Sequence, residues 1–292
     1  MIRSLTSAVS GLQAFQQEID VIGNDIANVN TVAYKSATTD LADSFSQTLA
    51  NSDLGGDSAI QVGLGVVTAG VFNQFTQGAI NPTGVQTDMA VSGNGFFVVQ
   101  DATNGVQYVT RAGDFHLDTN NYLVTPGGLQ VMGNVVTGYD SSGKPTTTFG
   151  PIQIAATAAN TPSTVASGAT MTSYAIDQSG NVDITMSDGS SFVGGQILLQ
   201  NFSNPDGLIK QGNNLYSGIA NAGPLGGSAT PMPAAAQTNG LGTIQSGSLE
   251  LSNVDLSSEF ANLISTQRAF QANARIITTS DEMLQELVNM KH

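Results

Sequence analysis

The chain has 292 residues, 40% of them hydrophobic, which is long enough for one or two domains with substantial cores. Its 8 Lys and Arg residues are scattered along the sequence and are outnumbered by 22 Asp and Glu residues. Nucleic acid and anionic membrane surfaces are therefore excluded as main partners, because both need clustered basic side chains. The absence of cysteine excludes disulfides and thiolate chemistry.

Residues 1–30 lack the features of a secretory signal or a membrane span. They hold one basic residue, Arg3, two acids within residues 18–20, Glu18 and Asp20, and no unbroken apolar run. We therefore expect neither membrane insertion nor a cleaved signal peptide. If this protein works outside the cell, it needs an export route that keeps the N-terminus.

Residues 3–30 show the strongest periodicity of the chain. Apolar residues recur every seven positions, with a second set three positions later: Leu5, Leu12, Ile19 and Ile26, then Ala8, Phe15, Ile22 and Val29. This spacing predicts a helix that packs against another helix. Gly11 and Gly23 each weaken such a helix by about 1 kcal/mol relative to Ala.

The C-terminus repeats the pattern. Its apolar positions, seven residues apart, are Leu256, Leu263, Phe270, Ile277 and Leu284. Asp255 is the expected N-cap, with Glu259 in the first turn. The accompanying heptad position is half polar and holds Phe260, Gln267, Ala274, Asp281 and Val288.

Between the two helices, Gly, Asn, Asp, Thr and Ser punctuate short β-rich runs such as GFFVVQ at 95–100, which predicts an antiparallel β domain over 76–242. Residues of about 155–172 form a low-complexity loop within it. Residues 31–75 and 243–254 are predicted as an extended linker, and 1–30 with 255–292 as one discontinuous helical domain.

The predicted fold class is α+β: an elongated subunit with paired, coiled-coil-like N- and C-terminal helices and a central antiparallel β domain. Helices at both ends of one β body are expected to lie side by side in opposite directions. The alternative is that a terminal helix lies on a sheet, since this also produces heptad-like spacing.

Candidates for catalysis or metal binding are few. His116 and His292 lack the partners of a metal site or a triad. The glycines of GLGVVTAG, at 63–70, have the wrong spacing for a nucleotide loop. Asp188-Gly189 is interpreted as a hairpin turn rather than half of a carboxylate pair with Asp183. We therefore predict no enzymatic activity, no cofactor and no metal.

Several blocks resemble the flagellar rod and hook proteins. They are SAVSGLQAFQQEIDVIGNDIANVNTVAYKS at 7–36, MAVSGNGFFVV at 89–99, GQILLQNFSNPDGLIKQGNNLY at 195–216 and the stretch 247–290. The family turn that follows the first helix is matched by Ala27, Asn28, Thr31 and Lys35, while Ala33 and Tyr34 replace the usual Gly and Phe. Because Gly supplies a positive φ without steric cost, the turn at Ala33 either keeps φ negative or is strained.

The resemblance implies a structural subunit that polymerises into a tubular helix and transmits motor torque. It implies a short hook protein in the extracellular part of the flagellum, with the distal rod protein as the near alternative. Implied partners are further copies of the chain, the adjoining rod, hook-cap and hook–filament junction proteins, and the flagellar type III export apparatus. A secreted binding or adhesion module on a helical stalk is a more distant alternative.

The predicted assembly surface consists of the apolar heptad positions of both helices. Its members are Leu5, Leu12, Phe15, Ile19, Ile22, Ile26, Leu256, Phe260, Leu263, Phe270, Ile277 and Leu284. We expect these side chains to pack partly within one subunit and partly between subunits.

Overall fold

The computed structural model describes residues 2–50, 60–139, 145–155, 161–162, 165, 169–225 and 233–290. The helices of the described ranges are α1, Ile2–Ala27, and α2, Leu256–Asn289, and a 3-10 turn spans Pro205–Gly207. The first strands are β1 Ala37–Asp43, β2 Ser46–Ala50, β3 Ile60–Gly63, β4 Val66–Asn73, β5 Ile80–Pro82, β6 Met89–Ser92, β7 Phe96–Gln100, β8 Gln107–Thr110, β9 His116–Leu117 and β10 Leu123–Val124. The later strands are β11 Gln130–Tyr139, β12 Pro145–Pro151, β13 Met171–Ile176, β14 Asn181–Met186, β15 Ser191–Gln200, β16 Ile209–Gly212, β17 Leu215–Ser217, β18 Ala234–Ala235, β19 Thr243–Ser246 and β20 Ser248–Glu250.

The chain divides into two compact units. The helical unit contains Met1–Val29, Lys35–Gln74 and Val254–His292, and the β unit contains Asn30–Tyr34 and Phe75–Asn253. The predicted combination of helices with an antiparallel sheet is confirmed. The separate linker over 31–75 and 243–254 stays a prediction, and the predicted loop at 155–172 lies largely outside the described residues.

The helical unit is built on α1. This helix contacts α2 and also the ribbon formed by β1 and β4, which pair antiparallel from Ala37 opposite Asn73 to Asp43 opposite Val66. The expected N-cap of α2 is confirmed, since the Asp255 carboxylate accepts hydrogen bonds from the amides of Ser257 at 2.9 Å and Ser258 at 3.5 Å. These bonds satisfy amides that the first helical turn leaves unpaired.

The β unit is organised around one antiparallel sheet. Among the described residues its main path runs β13-β14-β15-β11-β7-β8-β17-β16, while β9, β10, β12 and β18 attach to it. Asp188-Gly189 lies in the β14–β15 hairpin turn, as predicted: the Gly189 amide donates to the Met186 carbonyl at 3.1 Å, and φ of Gly189 is 82°.

Strand β7 explains why this sheet has core on both faces. Its alternate side chains enter different clusters, Phe97 and Val99 the larger one and Phe96 and Val98 the smaller one. Successive side chains of a strand point to opposite faces, so the continuous apolar run FFVV predicts burial on both sides. The smaller cluster contains edge-to-face ring pairs, with Phe96 at 5.6 Å from Phe202 and 6.2 Å from Tyr216 between ring centroids.

Candidate functional site

Helices α1 and α2 run in opposite directions. Near the start of α1, Gly11 lies against the Asn273 side chain, and near its end the charge of Asp25 acts on Glu259 of α2. A step of fourteen residues along α1 therefore matches a step of fourteen backwards along α2. At this register the last turns of α2 extend past Ile2, and every residue from Asp281 to Met290 is exposed.

The face of α2 that meets α1 is only half apolar. Covered positions that alternate four and three residues apart are Glu259, Leu263, Thr266, Phe270, Asn273, Ile277 and Ser280, and Ala269 and Ala274 beside them are half-buried as well. Leu263, Phe270 and Ile277 are thus half-buried, as the apolar heptad position requires, while the polar residues Glu259, Thr266, Asn273 and Ser280 are covered one position before the accompanying heptad position of the sequence pattern. The resulting close approach leaves little space, because a Cβ on Gly11 would come within 2.5 Å of the Asn273 side-chain nitrogen.

Acidic groups crowd one end of this face. Asp25 is fully buried and accepts a hydrogen bond from the Ala37 amide at 2.9 Å. Burial raises the pKa of the Glu259 carboxyl, and the nearby charges of Asp25 and Asp255 raise it further. Protonation of Glu259 therefore favours the folded helical unit.

The predicted positions of α1 are mostly covered. Ile22 is buried, and the half-buried members of the predicted set are Leu5, Leu12, Phe15, Ile19 and Ile26. The small side chains Ala8 and Ala14 are also buried, which lets neighbouring backbones approach closely. Most of the α1 set therefore packs within the helical unit.

Three predicted positions of α2 remain open. Leu256, Phe260 and Leu284 are 39%, 48% and 40% exposed. Val288, at the accompanying heptad position, is also exposed, and further exposed apolar residues, which lie outside both heptad positions, are Ile264, Ile276, Met283 and Leu287, with Met290 at the C-cap. The exposed apolar side chains thus lie in two groups, one in the first turns of α2 and one in its last turns, and a soluble monomer rarely exposes groups of this kind.

The β1–β4 ribbon leans on α1 with one of its faces. The Thr68 hydroxyl donates to the Gln17 side chain, and the Val66 amide donates to the Ser10 hydroxyl at 3.3 Å. The opposite face carries exposed Val67 and Phe72. Heptad analysis of the helices could not find this surface, since it lies on strands.

The turn after α1 is strained. Ala33 has a φ of 53° and is fully buried, and its amide donates to the Glu250 carbonyl at 2.8 Å. Of the two possibilities left open by the sequence, the structure has the positive φ, which costs a non-glycine residue about 1–2 kcal/mol.

The other residues of the turn motif are held by nearby groups. Asn28 closes α1, with its side-chain amide donating to the Asn24 carbonyl at 2.9 Å. The buried Tyr34 ring has the Lys210 ammonium 4.4 Å from its centroid, a cation–π contact. Lys35 is fully buried, Thr31 accepts from the Tyr34 amide at 3.3 Å, and Ala27 is exposed.

A buried ion pair in the β unit was not found from the sequence. Arg111 and Glu250 are both buried, and a guanidinium nitrogen of Arg111 lies 3.5 Å from a carboxylate oxygen of Glu250. The Arg111 guanidinium also donates to the Gly93 carbonyl at 2.8 Å. Burial lowers the pKa of Arg111, and Glu250 opposes that shift. The available signal was a single Arg following an apolar strand, which does not reveal its distant partner.

The structure describes one of the two histidines. His116 is exposed in the two-residue strand β9, and His292 lies outside the described residues. Within the described ranges, no three His, Asp or Glu side chains are grouped as metal ligands. The helices described here also include none with the length and apolar character needed to cross a bilayer.

Three family models match successive parts of the chain. The model "Flagella basal body rod protein" matches residues 5–35, "Flagellar hook protein FlgE/F/G D1 domain" matches 90–184, and "Flagellar basal body rod FlgEFG protein C-terminal" matches 245–290. The matches cover both predicted helices and much of the β unit.

Individual relatives differ in length. The chain is 40% identical over 296 residues to the flagellar basal-body rod protein FlgG of Bacillus subtilis strain 168, covering 100% of both chains. It is 27% identical over 450 residues to the flagellar hook protein FlgE of Borreliella burgdorferi, again covering 100% of both. The crystal structure of Helicobacter pylori flagellar hook protein FlgE2 aligns with a TM-score of 0.37 and 10% identity, covering 56% of this chain and 99% of that one.

Proposed function

The chain belongs to the flagellar rod and hook protein family, and from that membership we propose that it is a structural subunit of the flagellar axial tube, placed in the distal rod. The observation that carries this placement is length. The alignment with the rod relative spans 296 positions, close to the 292 residues of this chain, whereas the hook relative needs 450 positions.

The hook placement, which the resemblance of the sequence blocks implies, is the second candidate. It is compatible with family membership, and the hook relative matches the chain from end to end. The alignment with the hook relative, however, includes many positions for which this chain has no counterpart. That difference in length is the reason for preferring the rod.

The proposed activity is self-assembly into a helical tube. Each subunit would contribute α1 and α2 as a coiled-coil-like pair, with the half-buried positions Leu263, Phe270 and Ile277 holding the pair together. Exposed positions such as Phe260 would contact neighbouring copies. A head-to-tail contact of this kind generates an open helical polymer when its rotation does not close a ring.

The remaining elements of the proposal follow from family membership. The chain would act without catalysis or cofactor, and it would leave the cell through the flagellar type III export apparatus with its N-terminus retained. Its partners would be further copies of itself and the adjoining axial proteins, including the hook-cap and hook–filament junction proteins if it forms the hook.

Immunogold electron microscopy of purified hook–basal bodies tests the placement, using antibody raised against the β unit. We expect label on the short shaft within the rings. Label along the external curved segment would establish the hook instead, and unlabelled particles would contradict both placements. Particles from cells lacking the protein provide the control for antibody specificity.

A further inference from the structure

Two exposed faces of the helical unit complement each other. The first is the outer face of the β1–β4 ribbon, formed by Thr38, Asp40, Ala42, Val67 and Phe72. Register places these residues together: Thr38 pairs with Phe72, Asp40 with Gly70 and Ala42 with Val67. The Phe72 ring lies over Gly70, 3.1 Å from the position a Cβ would take, which confirms that both are on one side. Thr68 and its partner Leu41 are on the opposite side, toward α1.

The ribbon is acidic as well as apolar. The sequence has no Lys or Arg from Ser36 to Gln74, and Asp40 is exposed between the apolar groups of the outer face. Neither Asp40 nor any other described residue of this face forms an ion pair in the described part of the chain. Val67 and Phe72 are 49% and 45% exposed.

The second face is the side of α2 that points away from α1. With 3.6 residues per turn, Ile264, Arg268, Ala272 and Arg275 lie on one stripe, opposite the covered positions Leu263 and Phe270. All four stripe residues are exposed, and α2 has no Asp or Glu between Phe260 and Ser280. Neither arginine forms an ion pair with a described residue. This stripe is therefore basic and apolar.

We propose that the outer face of the ribbon binds the outer stripe of α2 in a neighbouring copy of the chain. Within one copy the two faces point away from α1 on different sides of it, because the ribbon turns its other face to α1 and so does α2. Each copy carries both faces, so the contact is head-to-tail and can repeat along a polymer. Asp40 and the two arginines supply charge complementarity, which sets the register of such contacts.

This inference rests on the proposed self-assembly and adds a second surface to it. That surface is separate from the contact between α1 and α2, which we call the seam. It assigns a role to residues 37–73 beyond connecting the helix to the β unit. The seam holds α1 to α2, while the ribbon would bind the next subunit.

Site-specific disulfide formation tests the contact, and the absence of native cysteine makes the result unambiguous. The Val67→Cys chain is mixed with the Ala272→Cys chain at a concentration at which the unsubstituted chain sediments as a polymer. After mild oxidation, mass spectrometry should find the mixed disulfide. Val71→Cys is the matched control on the ribbon, since it is also 49% exposed but pairs with Thr39 on the side toward α1. Gln267→Cys is the control on a different side of α2.

Charge reversal provides a second readout in the full chain. Asp40→Lys alone, or Arg268→Glu with Arg275→Glu, should raise the concentration needed for polymer formation by about tenfold or more, because like charges then face each other. Combining the three substitutions in one chain should restore assembly, whereas Asp206→Lys on the β unit should have no effect.

Equal cross-linking of the control pairs, no cross-link from the Val67 and Ala272 positions, or no self-association of the unsubstituted chain would overturn the inference. The immunogold experiment does not depend on polymer formation in solution. The flagellar placement can therefore stand while the ribbon contact fails, and the two failures are distinguishable.

Discussion

At the scale of single residues, the strained backbone of Ala33 and the buried charges of Arg111 and Glu250 lie outside the periodic patterns of the sequence. Ala33 holds a left-handed conformation that glycine adopts freely, and its amide is tied to the carbonyl of Glu250. The same Glu250 pairs with Arg111 through its carboxylate and accepts from the Gly78 amide at 2.9 Å. One buried residue thus holds three segments of the β unit that are distant in sequence.

Ala33→Gly is expected to stabilise the protein. Relief of the left-handed strain, about 1–2 kcal/mol, outweighs the extra chain entropy of glycine, about 0.5–1 kcal/mol, so the net gain is up to about 1.5 kcal/mol. Urea unfolding followed by circular dichroism measures it. Ala37→Gly in strand β1 serves as the control and should lose about 0.5–1 kcal/mol, since no strain is relieved there. A loss of stability in both variants would show that the turn is not strained.

At the scale of elements, small and polar side chains form the contact between α1 and α2 as much as apolar ones do. The face of α2 toward α1 alternates Leu263, Phe270 and Ile277 with residues such as Thr266 and Ser280, which are the buried residues of this helix. The Thr266 and Ser280 hydroxyls donate to carbonyls one turn earlier, at 2.9 and 2.7 Å, which satisfies them inside the contact.

The two glycines of α1 should respond differently to alanine. Gly23 has open space around its Cα, so Gly23→Ala should gain about 1 kcal/mol of helix propensity. Gly11→Ala should lose most or all of that gain, because the new methyl meets the Asn273 side chain. Thermal unfolding of the single variants, and of Gly11→Ala combined with Asn273→Ala, checks the cause. If the combined variant recovers nothing, the side-chain collision is not responsible.

Acidic crowding makes the helix pair dependent on pH. Because the folded-state pKa of Glu259 is raised, its contribution favours folding below the ordinary Glu pKa and is lost as the pH rises through the folded value. Glu259→Gln should therefore be more stable than the unsubstituted chain at neutral pH. Denaturant unfolding across the acid range should show this advantage shrinking as the pH falls. An advantage independent of pH would point to packing rather than charge.

At the scale of the whole molecule, the two units are suited to different tasks. The β unit has buried clusters on both faces of its sheet, whereas α2 leaves apolar residues exposed along its length. Burial of such residues on association would contribute about 25 cal/mol for each Å² of apolar surface removed from water. The proposed assembly would therefore have a driving force that a monomer does not use.

Substitutions in α2 should separate pairing within a subunit from contact between subunits. Phe270→Asp places a charge against α1, so it should lower the melting temperature of the helical unit and abolish polymer formation. Phe260→Asp, at an exposed position, should weaken polymer formation and leave melting nearly unchanged. Sedimentation and circular dichroism measure the two properties, with Gln267→Asp as the control. Intact polymers of Phe270→Asp would contradict the proposed role of the seam.

Sequence alone determined the two terminal helices, the antiparallel middle region and the family, because periodicity, turn residues and motif blocks are local properties of the chain. Burial of the FFVV strand on both faces and the Asp255 cap follow from the same kind of information. Tertiary structure decided which heptad positions are covered: Glu259 and Asn273 lie against α1, while Phe260 and Leu284 are exposed. It also decided that Arg111 pairs with Glu250, and which residues of the β1–β4 ribbon face α1 and which face away from it. These features depend on the rotation of α2 about its axis and on contacts between residues far apart in sequence, so no local pattern specifies them.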